Sequence, residues 1–350
     1  MKSLNENNLQ QPFFPNFFTL MFAFLVLKYQ KRNQNNIVAI IEVGLGGKFD
    51  WTKFFHPMIC VITRLDFDHT EILGKTPYSI AWNKFGITTK DSTNFTIPQA
   101  PLFQEALKKL VSETGRNLYC VSPNWKKEMG LKGPTAEVNS SLAISASIGF
   151  MKKIGFIRSN ANKLDFNFNF IKSSNENNII NVDKENCSKS NISDIYNYDN
   201  VLNNEKLCSL IEEGVRNVHI DGRYQIIFCN GIKWCIDGAH TPESILICQE
   251  WFHTECNKDK ICKKTESLLL CATSKNRDPN EILGILLNQD WENVFYVTSF
   301  GKIEFNNENV EFFNNTQQAI QKVLEIHPKI ILVTGSLYLV GETLKTLKAL

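Results

Sequence analysis

Residues 36–47 read NIVAIIEVGLGG: an apolar run that ends in one carboxylate, Glu42, and then a turn that holds three glycines. A short, β-branched, apolar run bounded by glycine is typical of a strand that is buried on both faces. Glycine allows the turn to take backbone conformations that other residues avoid and lets backbone approach a ligand closely. The stretch therefore predicts a buried strand with a charged group at its carboxyl end.

Other runs of the chain repeat this design of a β-rich segment followed by a polar or glycine-bearing turn. They are PMICVIT (57–63), IKWCIDGAH (232–240), SLLLCAT (267–273), NVFYVTSF (293–300) and KIILVTGS (329–336). Such strands alternating with helices predict an α/β fold with parallel, doubly wound sheets, in which ligands bind beyond the carboxyl ends of the strands. The polar residues at these ends or in the turns after them are Glu42, Asp66, Asp68, His69, Asp237, His240, Asp278 and Ser336.

Composition favours small-molecule chemistry. The 350 residues suffice for two domains, and 38 Lys and Arg against 36 Asp and Glu give a net charge of +2. This balance predicts no nucleic-acid partner and no membrane-binding patch. The ten cysteines include no C-x-x-C pair, which favours reduced thiols and a cytoplasmic protein.

An apolar stretch near the start of the sequence predicts a helix. The apolar stretch 13–27, FFPNFFTLMFAFLVL, is too short to cross a bilayer, so we expect a helix that becomes buried, with Pro15 in its first turn.

Residues 160–204 contain 14 Asn and are expected to be largely disordered. We therefore predict a central domain at 1–158, a low-complexity insertion and linker at 159–215, and a C-terminal domain at 216–350.

A metal site is one reading of the first two strand ends. Glu42 and His69 offer a carboxylate and an imidazole, and Mg²⁺ takes few protein ligands besides phosphate oxygens. The alternative is structural: Glu42 accepts hydrogen bonds like a helix cap, and Asp66 or Asp68 caps the following helix. Spacing alone does not separate the two readings.

Six motifs in order resemble one family. They are EVGLGGKFDWT (42–52), DHTEILGKTPYSIAWNKFGI (68–87), DGRYQ (221–225), IDGAHTPESILICQEWF (236–252), TSKNRDP (273–279) and LVTGSLYLVGETL (332–344). Together they resemble folylpolyglutamate synthase of the eukaryotic type, in the Mur-ligase-like superfamily. The resemblance implies a Mur-ligase-like, P-loop-type central domain, truncated at its N-terminus, and a smaller Rossmann-like C-terminal domain.

The resemblance also implies an ATP-dependent ligase. Its reaction activates the γ-carboxylate of folate as an acyl phosphate, which the amine of L-glutamate attacks. ATP and Mg²⁺ are the implied cofactors, with a monovalent cation as a further candidate, and folate and L-glutamate are the implied substrates. A monomer is expected, in the cytoplasm or, for a second form, in mitochondria.

Carried over from the family, Glu42 and His69 match Mg²⁺ ligands. Lys84 matches a lysine that is carbamylated in relatives, but the usual preceding glutamate is Asn83 and the usual small residue after it is Phe85. A surface lysine on a helix is therefore the alternative for Lys84.

The resemblance assigns the remaining site residues to nucleotide and substrate. Arg223 matches an arginine that contacts ATP phosphates, with a hinge role as the alternative, and Asp237 matches a nucleotide contact. His240 either positions phosphate or caps a helix. Asn139 matches the adenine-contacting helix start, although the neighbouring positions differ from the family pattern, and Ser336 matches a contact to the glutamate substrate.

The family's phosphate-binding loop, of the type G-T-x-G-K-G-S, is not found in the sequence, and neither is its folate-binding loop. Met1 corresponds to a position about a third of the way through the family's first domain. A non-catalytic or truncated homologue and a dihydrofolate synthase are therefore alternatives to an active folylpolyglutamate synthase.

Overall fold

The computed structural model describes residues 14–33, 37–156, 168–170, 205–273, 278–300 and 309–350. The chain divides into two compact units. The N-terminal unit comprises Met1–Trp125 and Val138–Cys208, and the C-terminal unit comprises Lys126–Glu137 and Ser209–Leu350. Each unit has its own sheet and is described by itself.

The N-terminal unit is built on a four-stranded sheet in the order β1-β2-β3-β4. The first three strands are parallel and β4 is antiparallel. Its strands are β1 (Ile59–Ile62), β2 (Thr93–Thr96), β3 (Tyr119–Val121) and β4 (Phe168–Phe170). Its helices are α1 (Phe14–Asn33), α2 (Thr70–Leu73), α3 (Pro77–Phe85), α4 (Pro101–Thr114) and α5 (Ala136–Lys153), with a 3₁₀ turn at Trp51–Phe55.

Alternation along β1 explains why helices cover both faces of this sheet. Ile62 packs into a core with residues of α3 and α4, such as Ile80 and Leu107. Ile59 and Val61 contact the other core, which Leu142 of α5 shares with residues of β2 and β3. Successive strand residues point to opposite faces, so an all-apolar strand needs an apolar layer on each side.

The C-terminal unit holds a six-stranded sheet in the order β5-β6-β10-β7-β8-β9, in which only β5 is antiparallel. Its strands are β5 (Gln225–Cys229), β6 (Ile232–Ile236), β7 (Ser267–Cys271), β8 (Asn293–Val297), β9 (Val310–Phe313) and β10 (Ile330–Thr334). Its helices are α6 (Glu205–Asn217), which begins in the N-terminal unit, α7 (Pro242–Lys258), α8 (Lys263–Glu266), α9 (Pro279–Leu286), α10 (Thr316–Ile326) and α11 (Leu337–Leu347), with a 3₁₀ turn at Thr298–Phe300.

Two cores lie on the two faces of this sheet. Leu268 and Leu270 of β7 point to the core formed with α10 and α11, whereas Leu269 and Cys271 point to the core formed with α7 and α9. Parallel strands covered by helices on both faces confirm the predicted α/β class.

Most of the predicted strands are confirmed: five of the quoted runs contain β1, β6, β7, β8 and β10. The strand predicted from NIVAIIEVG is wrong, because residues 37–43 form no strand. A strand is defined by its hydrogen-bonded neighbour, and the described residues offer this segment none. Its apolar pattern therefore predicts burial that the described residues do not provide.

Helix α1 confirms the predicted helix and the place of Pro15 in its first turn. The prediction that it becomes buried is wrong, because most of its described apolar side chains, Phe24 among them, are exposed. No helix in the described part of the chain is both long and apolar enough to cross a bilayer.

The predicted disordered tract, 160–204, lies outside the described residues apart from β4. Helix α6 continues past residue 215, where the linker was predicted to end. The limits at 158 and 215 remain predictions.

A buried ion pair fastens β6 to α7. The Lys233 ammonium lies 2.9 Å from a Glu255 carboxylate oxygen, and both side chains are buried. Asp259 and Lys258 complete the group at 2.6 Å from Lys233 and 2.5 Å from Glu255, respectively. Burial alone would raise the pKa of Glu255, but hydrogen bonds from Lys258 and Lys233 outweigh it and lower the pKa.

Replacing Lys233 with methionine should leave the buried Glu255 carboxylate without its buried partner. We expect a loss of about 3 kcal/mol in the free energy of unfolding, measured by urea denaturation. Lys322→Met, which removes an exposed pair with Glu325, is the control and should cost below about 1 kcal/mol.

The same pair predicts an acid-dependent stability. A carboxyl with a lowered folded pKa stabilises the fold above its unfolded pKa and loses that contribution as the pH falls through the folded value. The wild type should therefore lose more stability below about pH 4.5 than Lys233→Met does. Equal losses for the two proteins would contradict this account of the pair.

Candidate functional site

The polar residues of the C-terminal unit gather beyond the carboxyl ends of β6 and β10. These strands are parallel neighbours, so the loops that follow them leave the sheet at the same edge. The Gly335 N–H donates to the Ala239 carbonyl at 2.8 Å, which joins the two loops directly. Asp237, His240 and Ser336 all lie in this linked pair of loops.

Arg223 lies in a tight turn that a buried carboxylate holds to the β6 loop. Asp237 accepts the Tyr224 N–H at 2.9 Å with one oxygen and the Ala239 N–H at 2.8 Å with the other. The Gly238 N–H also donates to the Gly222 carbonyl at 2.9 Å. Because Gly222 and Tyr224 both have positive φ, 72° and 46°, the turn needs such support to remain in place.

The turn leaves the Arg223 side chain exposed beside the β6 loop. A Cβ atom added at Gly238 would lie 3.3 Å from the guanidinium and 2.2 Å from the Leu337 side chain. Glycine at 238 therefore makes room for both. Asp237 itself is only 3% exposed, and burial raises its pKa against the opposing effect of the Tyr224 N–H and Arg223.

Tyr224 anchors the same turn from the other side, and the sequence motifs did not single it out. Its ring packs edge-to-face on Trp251 at 5.3 Å between centroids and covers Gly133, where a Cβ would lie 2.2 Å away. Burial raises the Tyr224 pKa to about 12, while a hydrogen bond with Thr135 lowers it. Its place after arginine in DGRYQ was the only available signal, because the contacts are distant in sequence.

His240 is oriented by a backbone carbonyl. Its Nδ1 lies 2.7 Å from the Gly238 oxygen, and since a carbonyl only accepts, Nδ1 must donate. In the neutral ring this leaves Nε2 as an acceptor. The cap of α7 is Thr241, which forms a capping box with Ser244, so His240 does not cap this helix through its side chain.

Ser336 precedes α11 as its N-cap residue, but its side chain makes no capping bond. The hydroxyl oxygen is buried and finds no hydrogen-bond partner among the described residues. A buried polar group without a partner is costly, which is consistent with a group that meets a ligand. The placement agrees with the predicted substrate contact without testing it.

In the N-terminal unit, the glycine turn packs against the end of α3. Gly47, with φ of 153°, lies so close to α3 that an added Cβ would approach the Ile87 side chain to 2.2 Å and the Asn83 and Lys84 carbonyl oxygens to 3.1 Å. The Lys48 N–H donates to the Asn83 carbonyl at 2.8 Å. The structure thus brings the glycine turn next to half-buried Lys84.

Asp50 closes the glycine turn and is a second residue that motif reading missed. Its carboxylate accepts the N–H groups of Gly44 at 3.2 Å, Leu45 at 3.3 Å and Thr52 at 2.9 Å. The bond from the Thr52 N–H, two residues after Asp50, forms an Asx turn, whereas the other two bonds reach back to the glycine turn. An aspartate six residues after the first glycine was the available signal.

The two predicted metal ligands are both exposed, Glu42 in the unpaired segment 37–43 and His69 at the N-cap position of α2. His69 also lies 3.6 Å from the Asp68 carboxylate. No group of three or more His, Cys, Asp and Glu side chains within the described residues is arranged to hold a metal ion. A carboxylate and an imidazole open to water fit Mg²⁺ only as a minority of its ligands.

The structural alternatives for the same region are also visible. Asp66 and Asp68 accept the N–H of the next residue at 2.7 Å and 2.6 Å, but the N-cap residue of α2 is His69. Asn83 donates from its amide to the carbonyls of Leu73 and Ser79, which a glutamate could not do.

Asn139 is exposed in the first turn of α5.

Comparison with known proteins identifies homologues. No family model matches the chain. A Schizosaccharomyces pombe protein named probable folylpolyglutamate synthase is 29% identical over 273 residues, which is 77% of this chain and 44% of that protein. The mitochondrial folylpolyglutamate synthase of Bos taurus is 27% identical over 79% of this chain and 44% of its own. The chain therefore spans less than half the length of these relatives.

A solved complex of FPGS with AMPPCP and folate has the same fold as this chain. It superposes with a TM-score of 0.61 at 19% identity, over 91% of this chain and 68% of the solved one. The homologues confirm the resemblance to folylpolyglutamate synthase that the motifs indicated. The shared fold confirms the Mur-ligase-like α/β architecture.

Gly47→Ala should destabilise the glycine turn because the new methyl group meets Ile87 and two carbonyl oxygens. We expect a loss of about 2 kcal/mol or more, measured by urea denaturation. Gly115→Ala is the matched control: it has positive φ as well, but nothing lies within 4 Å of its added Cβ. Equal losses would show that backbone strain alone, without the close packing, explains the glycine.

Asp237→Asn should loosen the Arg223 turn, because an amide NH₂ cannot accept the second backbone N–H. We expect amide exchange at Tyr224 and Ala239 to accelerate about tenfold or more, from a loss of about 1–3 kcal/mol. Asp278→Asn, at the N-cap of α9, is the control and should leave these amides unchanged. Unchanged exchange in Asp237→Asn would refute the role given to its carboxylate.

Proposed function

We propose that this chain takes part in the ATP-dependent ligation of L-glutamate to the γ-carboxyl group of folate. In this reaction the carboxylate attacks the terminal phosphorus of ATP and releases ADP. The amine of glutamate then attacks the acyl phosphate and expels phosphate. The observation that carries the proposal is the homology to curated folylpolyglutamate synthases over most of the chain.

The arrangement of the C-terminal unit supports this proposal independently of the homology. Arginine, histidine and serine lie together beyond the carboxyl ends of two adjacent parallel strands, which is where doubly wound sheets bind ligands. The FPGS relative of the same fold was solved with an ATP analogue and folate.

We assign phosphate binding to Arg223. Its side chain is exposed beside Gly238, on a turn whose backbone Asp237 holds, and a planar, permanently charged fork suits phosphate oxygens. For Asp237 the resemblance implies a nucleotide contact, but both of its carboxylate oxygens already accept backbone N–H groups. We therefore propose that Asp237 contributes by positioning Arg223.

We assign proton transfer to His240 and a contact with the amino-acid substrate to Ser336. With Nδ1 held by Gly238, the Nε2 atom of His240 is able to accept a proton, or to donate one once the ring is protonated. The Ser336 hydroxyl offers a donor and an acceptor to the amino-acid substrate.

Glu42 and His69 are the residues that would hold Mg²⁺, and Lys84 lies at the end of α3, beside the glycine turn that follows Glu42. Held there, the ion would supply positive charge to neutralise phosphate oxygens. Carbamylation of Lys84 and adenine recognition by Asn139 remain proposals from the resemblance. Cytoplasmic location and a monomeric state are proposals of the same kind; one homologue is named as mitochondrial.

Incubation of the chain with ATP, Mg²⁺, a reduced folate and L-glutamate tests the proposal. We expect ADP and a folate product longer by one glutamate, identified by mass spectrometry. Arg223→Gln should lower the rate at least about tenfold, since it removes a charge-assisted hydrogen bond to phosphate. Arg216→Gln, which removes an exposed arginine of α6, is the control and should keep the wild-type rate.

Absence of both products, beside an active reference enzyme, would contradict ligation by this chain. A product formed only when dihydropteroate replaces the reduced folate would assign dihydrofolate synthesis instead.

A further inference from the structure

A glutamine within the DGRYQ motif holds the turn that carries Arg223. Gln225, the first residue of β5, is half-buried, and its carboxamide oxygen accepts the Gly222 N–H at 2.8 Å. Its NH₂ group donates to the Asp221 carboxylate at 3.2 Å. The side chain therefore links the two residues that precede Arg223. We call Asp221, Gly222 and Gln225, joined by these two bonds, the glutamine clamp.

Gly222 depends on the clamp because it is buried in a strained conformation. Its φ is 72°, and a Cβ atom added there would approach the Val340 side chain of α11 to 2.4 Å. The Gly222 carbonyl accepts the Gly238 N–H at 2.9 Å, so its N–H is the other backbone group that needs a partner. A buried N–H without an acceptor is costly, and Gln225 supplies the acceptor.

Asp221 determines which way the Gln225 amide faces. Its carboxylate lies 3.1 Å from His219 Nε2 and 3.7 Å from the Lys348 ammonium. The hydrogen bond with His219 and the charge of Lys348 lower the pKa of Asp221, so the carboxyl group is ionised near neutral pH. An ionised carboxylate only accepts hydrogen bonds, whereas a backbone N–H only donates. The amide must therefore turn its NH₂ toward Asp221 and its oxygen toward Gly222.

A carboxamide at position 225 meets both demands at once, and its close analogues do not. A glutamate could accept the Gly222 N–H, but it would place a second carboxylate against Asp221. A methionine of similar length could make neither bond. The chemistry of the two neighbours thus calls for glutamine here.

We propose that Gln225 is a positioning residue for phosphate binding by Arg223 and acts through the Gly222 backbone. The inference rests on the proposed function, because it takes phosphate as the ligand of Arg223. Gln225 accepts the N–H before Arg223 and Asp237 accepts the N–H after it, so the backbone is held on both sides of the arginine. A backbone that is held before binding loses less conformational freedom when phosphate binds, which raises the affinity.

Gln225→Met tests the clamp without changing the charge. The Kd of the 350-residue chain for AMPPCP with Mg²⁺ is measured by isothermal titration calorimetry. We expect this Kd to rise about tenfold or more, and amide exchange at Gly222 to accelerate by a similar factor, because the buried N–H loses its acceptor. Gln289→Met is the matched control: it removes a half-buried glutamine bonded to Lys263, in the turn before β8, and should keep the wild-type Kd.

An exchange of the two side-chain groups separates positioning from general stability. Gln225→Glu should weaken binding at least as much as Gln225→Met, because two carboxylates then face each other. In the double variant Asp221→Asn/Gln225→Glu, residue 221 supplies the NH₂ group and residue 225 accepts from it and from Gly222. We expect the double variant to bind AMPPCP within about threefold of the wild-type Kd and to regain slow exchange at Gly222.

Two results would overturn the role of Gln225 while leaving phosphate binding intact. The first is a wild-type Kd in Gln225→Met, and the second is a double variant that binds as weakly as Gln225→Glu. Failure of the wild-type chain to bind AMPPCP is a different outcome. It would refute the proposed phosphate binding at this site, and the inference with it.

Discussion

An inner strand of a parallel sheet has a hydrogen-bonded neighbour along each edge and an apolar layer on each face, and this arrangement organises both sheets of the structure. In the C-terminal unit both needs are met: β10 lies between β6 and β7, and helices cover both faces. The apolar side chains of β7 alternate between the two cores, so both faces of that strand are buried. Among the described strands of the N-terminal unit, β1 pairs with β2 alone, and Val38 and Ile40 before it are exposed.

The parallel arrangement of the strands also determines where the candidate site lies. Because β6 and β10 are parallel neighbours, their following loops leave the sheet side by side, and backbone hydrogen bonds join them. At this edge Asp237 holds the turn before β5, because its two carboxylate oxygens accept hydrogen bonds from two separate backbone N–H groups. Burial makes those bonds more valuable, since a buried N–H without an acceptor is costly. The exposed guanidinium of Arg223 is thereby carried by a rigid frame rather than by a free loop.

How much of the structure the sequence alone predicts depends on how far apart in the sequence the contacting residues lie. The strands at β1, β7 and β10 were predictable because each carries its apolar pattern within a few residues. Segment 37–43 carries the same pattern, but a strand also needs a neighbour, and no local pattern states whether that neighbour is there. The burial predicted for α1 is wrong for the same reason.

The candidate site shows the same division. Motifs pointed to Arg223 and Asp237, yet they could not show that the carboxylate faces backbone N–H groups, because Tyr224 and Asp237 lie 13 residues apart. Tyr224 and Asp50 were missed because their partners are backbone groups or distant rings rather than motif neighbours. Sequence patterns identify residue types that suit a chemistry. Only the folded structure shows which of their atoms remain available for a ligand.

The central claim is that the loops after β6 and β10, with the Arg223 turn, form a phosphate-binding edge. Amide hydrogen exchange with and without Mg²⁺ and the ATP analogue AMPPCP tests it most directly. The account predicts slower exchange in residues 220–224 and 237–241, with no change in α10 at the distant helical face. Unchanged exchange in both of these segments at saturating analogue would contradict it.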